Sequence, residues 1–165
     1  MKICVLSDSH YKITDSDFII KYIANNHFDA VLHAGDIGSI EFYNEIMDLA
    51  SSYFVAGNCD DSYNHQYFGT RQTLVFGDVK IGLIHGHQGK GETEVEKLQN
   101  IFKYDKADVV VFGHTHQPYN QVHDGVLYFN PGSCSADADR PSIGILTIEG
   151  KDIKGEIIYP EKNNC

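Results

Sequence analysis

Five times in this chain a short, mostly apolar run stops abruptly at a cluster of Asp, Asn or His, which leaves few ways to fold it. Lys2–Leu6 runs into Ser7-Asp8-Ser9-His10, Phe28–Ala34 into Gly35-Asp36, and Tyr53–Ala56 into Gly57-Asn58-Cys59-Asp60. Val79–Ile84 runs into His85-Gly86-His87, and Ala107–Phe112 into Gly113-His114-Thr115-His116. Apolar runs of this length, rich in β-branched residues, read as buried strands. Their carboxyl ends carry the polar side chains, and that is where open α/β sheets bind ligands.

The segments between the runs supply the rest of the architecture. Thr14–Asn26 reads as a helix with Thr14, Asp15 or Ser16 as its cap and Phe18, Ile19, Tyr22 and Ile23 as its inward stripe. Ser39–Ser51 reads as a second, burying Phe42, Ile46 and Leu49. The resulting β-α-β-α-β order implies parallel strands with right-handed crossovers. Asp61–Gly69 reads as a polar loop in which Tyr63, His65, Tyr67 and Phe68 anchor the chain or line a cleft. Gln72–Phe76 and Val79–Ile84 form a hairpin across Gly77-Asp78, and Glu92–Tyr104 a third helix with Val95, Leu98, Ile101 and Phe102 inward. Strands are expected near Tyr119–Val122, Val126–Phe129, Ser142–Glu149 and Ile153–Tyr159, making the second half mainly antiparallel. The expectation is one domain over residues 1–165, with two mixed sheets face to face and helices outside.

The chain's 165 residues carry a formal net charge of -10 with no acidic tail, which argues against non-specific binding to long nucleic acid. An anionic substrate stays open, because bound cations can invert the local field. The first apolar run is too short for a signal peptide, and no stretch approaches a membrane span. Cys4, Cys59, Cys134 and Cys165 are scattered without CxxC spacing, so neither a disulfide framework nor a zinc knuckle is expected. A soluble, cytoplasmic protein is the expectation.

Asp8 and His10, two apart, face the same way if the chain stays extended, and His114 and His116 do likewise after Gly113. Each pair alone has a bland reading as turn or surface residues. Together Asp8, His10, Asp36, Asn58, His85, His114 and His116 are candidate ligands offering nitrogen and oxygen but no thiolate. That donor set suits manganese, iron, cobalt, nickel or zinc, with manganese expected first. Seven ligands are too many for one ion but suit two that share Asp36. Two divalent ions against the charges of Asp8 and Asp36 leave roughly +2 at the site, which attracts phosphate and acidifies a bridging water toward a pKa of about 7. His33 is expected to pack or hydrogen-bond behind the ligands.

The ordered set Asp8-x-His10, Gly35-Asp36, Gly57-Asn58-x-Asp60, His85-Gly86-His87 and Gly113-His114-Thr115-His116, with Asn130-Pro131-Gly132-Ser133, resembles the calcineurin-like metallophosphoesterases. The closest likeness is to their small YfcE-like phosphodiesterase branch. The resemblance implies a four-layer α/β/β/α sandwich and a dinuclear centre whose bridging hydroxide attacks a small phosphodiester. It implies one ion on Asp8, His10, Asp36 and His116, and the other on Asp36, Asn58, His85 and His114. Asp36, Asn58 and His114 are then the catalytic residues, activating that hydroxide and binding the phosphate. His87 has no ligand place in that scheme and is expected behind the ligands or facing substrate. Asp60 is expected to orient a neighbouring histidine.

Cys59 departs from the pattern of family phosphatases that carry His after the motif asparagine. A thiol is a poor cationic donor to a leaving oxygen. Diesters with good leaving groups are therefore expected to be preferred over monoesters; alternatively, Cys59 merely packs. Two other functions stand beside this one. One is a non-catalytic interaction scaffold, as in the retromer subunit that resembles the family with eroded ligands; the other is a nuclease or a cyclic-nucleotide diesterase. Exposed strand edges leave room for a homo-oligomer.

Overall fold

A computed structural model of the chain describes residues 1–10 and 17–160. Its strands are β1 (Lys2–Leu6), β2 (Ala30–His33), β3 (Ser52–Phe54), β4 (Arg71–Phe76), β5 (Val79–Ile84), β6 (Val109–Val111), β7 (Tyr119–His123), β8 (Val126–Asn130), β9 (Ile143–Glu149) and β10 (Asp152–Ile158). Its helices are α1 (Asp17–Asn26), α2 (Ile40–Leu49), α3 (Ser62–Phe68) and α4 (Glu94–Phe102). The capping residues expected for α1, Thr14, Asp15 and Ser16, lie outside the described residues.

The strands form two sheets of five, ordered β10-β9-β1-β2-β3 and β4-β5-β6-β8-β7. Alternation within each strand explains the layering. In β1, Ile3 and Val5 join Val79, Ile81, Leu83, Val109, Val111, Leu127 and Phe129 in a core between the sheets. Cys4 and Leu6 point the other way, onto Phe18, Ile19 and Ile23 of α1 and Phe42 and Ile46 of α2. In the second sheet Ile84, Val110 and Tyr128 face outward onto Leu98 and Phe102 of α4. Strands buried on both faces are apolar throughout, as the sequence runs are. The result is the four-layer α/β/β/α sandwich, two mixed sheets flanked by helices. Among the described residues no helix is long and apolar enough to cross a membrane.

The strands that carry the polar motifs run parallel within their sheets: β1 with β2, β2 with β3, β5 with β6 and β6 with β8. The second half is mainly antiparallel, as expected: antiparallel pairing joins β4 to β5, β7 to β8, β9 to β10 and β9 to β1 of the first sheet, with β5–β6 and β6–β8 as its parallel pairs. The loop expected over Asp61–Gly69 is corrected, because Ser62–Phe68 is helical. Asp61 accepts a hydrogen bond from the Asn64 amide as its N-cap, and Gly69 closes it. Leu49, expected in the core, is 40% exposed, since α2 ends there and Phe42 and Ile46 complete its inward face.

Phe129 fixes the spacing of the sheets. Its buried ring leaves β8 and seats against Gly144 of β9 and Gly155 of β10, where a Cβ would collide with Cε1 and Cε2. We expect Phe129→Ala to lower the unfolding free energy by about 3–5 kcal/mol and Gly144→Ala to lower it by about 1–3 kcal/mol. In urea titrations the double variant should lose less than the sum, because the new methyl group fills part of the void left by the ring.

Candidate metal centre

Backbone bonds between adjacent strand ends gather the motifs into one place. The amides of Asp8 and His10 donate to the carbonyls of Gly35 and Asp36 at 3.0 Å each, joining the first two motifs. The Gly113 amide donates to the His85 carbonyl at 2.9 Å, joining the last two. Across the sheets, the His114 amide donates to Asp8 Oδ2 at 3.0 Å. Gly113 makes that approach possible, since a Cβ there would run into Ser7 Oγ and lie 2.7 Å from Asp8 Oδ2.

The two buried carboxylates divide their oxygens in the same way. Asp8 Oδ2 accepts from Ser7 Oγ at 2.6 Å as well as from His114, and Asp36 Oδ1 accepts from the Cys59 amide at 2.8 Å. Asp8 Oδ1 lies 3.2 Å from His116 Nε2, 3.9 Å from His85 Nε2 and 4.0 Å from His10 Nε2. Asp36 Oδ2 lies 3.4 Å from His85 Nε2 and 3.7 Å from His10 Nε2. The His10 and His116 Nε2 atoms are themselves 3.2 Å apart.

His85 Nδ1 donates to the Ala34 carbonyl at 2.7 Å, which turns Nε2 toward the carboxylates. Nε2 of His85 and Oδ1 of Asp8 are both buried and have no hydrogen-bond partner. A buried carboxylate oxygen facing imidazole lone pairs calls for positive charge between them. Burial alone would depress the His85 pKa, but the nearby Asp36 carboxylate and the charge of Asp8 outweigh it and raise it. Burial likewise opposes ionisation of Asp36, and the His85 imidazole and Cys59 amide outweigh it, holding that carboxyl well below the usual range. The residues therefore fit divalent cations.

Ligand atoms converge in three overlapping groups among the described residues: Asp8 with His10 and His116, Asp8 with Asp36 and His85, and His10 with Asp36 and Cys59. Cys59 was expected near the site but not among converging donors. Partial desolvation beside Asp36, then that carboxylate's hydrogen bond and charge, push its thiol pKa up, so the thiol is neutral. His114 and Asn58 are exposed and lie at the margin. The His114 ring sits 5.2 Å from that of His85 and 6.1 Å from that of His87, while Asn58 Nδ2 donates to Cys59 Sγ at 3.3 Å. Burial, then the imidazoles of His85 and His114, lower the pKa of His87.

Two local expectations need correction. Asp8, His10, Asp36, His114 and His116 all have φ between 44° and 69°, the left-handed region, so neither His pair converges through extended backbone. The chain curls at each strand end, and Asp and His tolerate that conformation better than most residues. Asp60 does not orient a histidine. Its Oδ1 accepts from the amides of Ile37 and Gly38, and its Oδ2 from Gly57, so it ties the loop after β2 to the loop after β3.

The Asn130-Pro131-Gly132-Ser133 motif supplies supports whose roles the sequence left unassigned. Buried Asn130 donates to the Gly113 carbonyl at 2.8 Å and to Thr115 Oγ1 at 3.1 Å, bracing the turn that bears His114 and His116. Ser133 Oγ donates to the Asp8 carbonyl at 2.8 Å. His33 is buried behind the site, as expected: Nδ1 accepts from the Gly35 amide, and Nε2 donates to Ser9 Oγ, which donates on to the Ile37 carbonyl.

Residues 1–151 match the calcineurin-like phosphoesterase superfamily domain, and the chain belongs to that family. It is 32% identical over 163 residues to a probable metallophosphoesterase of Methanothermobacter thermautotrophicus, covering 96% of this chain and 92% of that protein. It is 28% identical to a phosphodiesterase of Methanocaldococcus jannaschii, covering 93% and 97%. Among solved structures, a novel archaeal phosphodiesterase superposes with a TM-score of 0.77 at 27% identity, covering 96% of this chain and all of that one. A Vps29 of Entamoeba histolytica complexed with zinc superposes with a TM-score of 0.79, covering 96% and 99%; at 24% identity that likeness is one of fold. The protein is thus a metallophosphoesterase by family.

His33 yields a prediction from its burial. Burial, only partly offset by the charges of Asp60 and Asp36, lowers its pKa to about 4, against an ordinary value of 6.5. Between those values the unfolded chain binds a proton that the folded chain refuses. Stability is therefore full above pH 6.5 and falls with decreasing pH, by about 3 kcal/mol at pH 4. In chelator-treated protein, His33→Asn, which can still accept from the Gly35 amide, should show a flatter stability profile over this window. An unchanged slope in urea titrations from pH 7 to 4 would count against the assignment.

Proposed function

We propose that the chain hydrolyses small phosphodiesters at a centre of two divalent ions. Asp8, His10, Asp36 and His116 would hold one, and Asp36, Asn58, His85 and His114 the other. The observation that carries this reading is the pair of buried, unpartnered atoms, Asp8 Oδ1 and His85 Nε2, aimed into one space with Asp36 Oδ2. When bound, such ions supply Lewis acidity toward phosphoryl oxygens and a water acidified into the neutral range. Nitrogen and oxygen donors suit manganese first, with iron, cobalt, nickel and zinc as alternatives.

The protein's own part is positioning. Asp36, ionised and fixed by the Cys59 amide, belongs to two of the three converging groups, one with Asp8 and His85 and one with His10 and Cys59. His85 is oriented by the Ala34 carbonyl and Asp8 by Ser7 and His114, so each arrives with its free atom already turned inward. The exposed imidazoles of His114 and His116 leave one side of the centre open for the phosphate. Cys59 sits at that side with a neutral thiol, which cannot act as the cationic donor a poor leaving group requires.

The test is hydrolysis of a matched aryl phosphodiester and phosphomonoester by chelator-stripped protein, with Mn, Ni, Co, Zn and Mg restored separately. Diester cleavage should return with manganese and fall by about two orders of magnitude or more in Asp36→Ala and His114→Ala. Elemental analysis of reloaded wild-type protein should find about two ions per chain. Folded protein that turns over neither substrate with any ion would overturn the reading in favour of a scaffold.

The thiol gives a separate prediction. Cys59→His should raise the monoester rate relative to the diester rate by about tenfold or more, a well-placed general acid being worth ~10²–10⁴. An unchanged ratio would make Cys59 a packing residue.

A further inference from the structure

We propose that the cleft beside His116 binds one ester arm of the substrate, and that this arm is a neutral polyol of the glycerol or ribose kind. The inference rests on the phosphodiesterase reading and names its substrate class. The cleft encloses about 440 Å³, within the ~300–1,000 Å³ typical of small-molecule sites. A hollow lined by residues of α4 and β8 encloses only about 180 Å³.

Three loops build the cleft: His116, Gln117 and Pro118 after β6, Asp137 to Arg140 before β9, and Tyr159 after β10. His116 belongs to both the cleft and the Asp8-His10-His116 group, so a phosphate held there places its ester oxygen at the mouth. The walls are preformed. Pro118 packs against Gly132, Asn130 braces Thr115, and the loop before β9 is held by bonds from the Ala138 amide to the Ser135 carbonyl and from Ser142 Oγ to the Pro131 carbonyl.

The lining chemistry selects the arm. The Arg140 guanidinium lies over the Tyr159 ring at 3.6 Å, which occupies its face and leaves its N–H edge for an acceptor. Stacking also covers one face of the tyrosine. Among the described residues the Asp139 carboxylate offsets that guanidinium, so the lining offers a second anionic group on the arm no surplus of positive charge. Hydroxyls satisfy both signs of wall, donating to the Asp139 carboxylate and accepting from Arg140.

The experiment compares phosphodiesters that all release 4-nitrophenolate and differ only in a methyl, glyceryl or ribos-5-yl second arm. Wild-type kcat/KM should exceed that of the methyl diester by about tenfold for a hydroxylated arm. That ratio should fall toward one in Arg140→Met, which keeps a stem over Tyr159, and in Asp139→Asn. Preference for glyceryl or for ribosyl identifies the source. Equal wild-type rates, or variants that lose all three substrates alike, would overturn the proposal.

Cleavage of the methyl diester tests the enzyme reading separately. Independently of turnover, glycerol 3-phosphate should shift the amide resonances of Ala138 and Arg140 but not that of Lys151. Diester cleavage without those shifts or any preference sinks the cleft proposal alone.

Discussion

The rest of the structure depends on one electrostatic constraint: carboxylate oxygens of Asp8 and Asp36 lie 3.2–4.0 Å from the Nε2 atoms of His10, His85 and His116. Two buried carboxylates so placed repel each other unless positive charge, a proton or a cation, sits among them. Hydrophobic burial between the sheets has to hold the assembly together against that repulsion. The inter-sheet core does so because it runs directly beneath the site, from Phe129 through Val111 and Leu83 to Val5 and Leu32. The motifs are then the last residues of strands whose positions the core has already fixed.

The three buried side chains of the site are each held by one atom and offered by another. Asp8 is gripped at Oδ2, Asp36 at Oδ1 and His85 at Nδ1, leaving Oδ1, Oδ2 and Nε2 to the centre. The grips come from groups with no chemistry of their own: backbone amides, Ser7, a carbonyl. Asp60, Asn130 and Ser133 repeat the pattern one layer out by fixing the loops themselves. Left-handed backbone at five site residues is the strained part of this design, costing on the order of 1 kcal/mol or more apiece. Such strain survives only where surrounding bonds over-determine the loop, as they do here.

The layers and the strands were legible because both-face burial writes itself as continuous apolar runs, and the polar stops marked where the strands end. What escaped were features set by backbone geometry. Alternation along a strand explains Cys4 against Val5, but it fails at His10, His114 and His116, where the chain has already left the extended region. Helix α3 was hidden because its inward face is partial, with Tyr63 and Tyr67 exposed at i and i+4. The visible signal was Asp61 and Gly69 bracketing seven residues as cap and stop. The parallel β6–β8 pairing had no local signal, because it skips β7 within a half of the chain that is otherwise mainly antiparallel. Asp60 illustrates the same limit: its residue type promised a contact to histidine, but three unpaired amides in adjacent loops were the nearer claim.

Asymmetry of burial indicates how the site meets its substrate. Asp8, Asp36 and His85 are buried, whereas Asn58, His114 and His116 are exposed, so charge is anchored on the inner side and approached from the outer one. A chain with a net charge of -10 repels an anion at long range. Over a Debye length of about 8–10 Å that repulsion is screened, and the field near the loops is set by whatever cations the inner carboxylates hold. Selectivity then falls to the outer rim. Cys59 offers a neutral thiol on one side, and Arg140 with Asp139 offers polar walls of both signs on the other. Neither side supplies the concentrated positive charge that a dianionic phosphate or a polyanionic strand would need, and both are compatible with a singly charged diester carrying an uncharged arm.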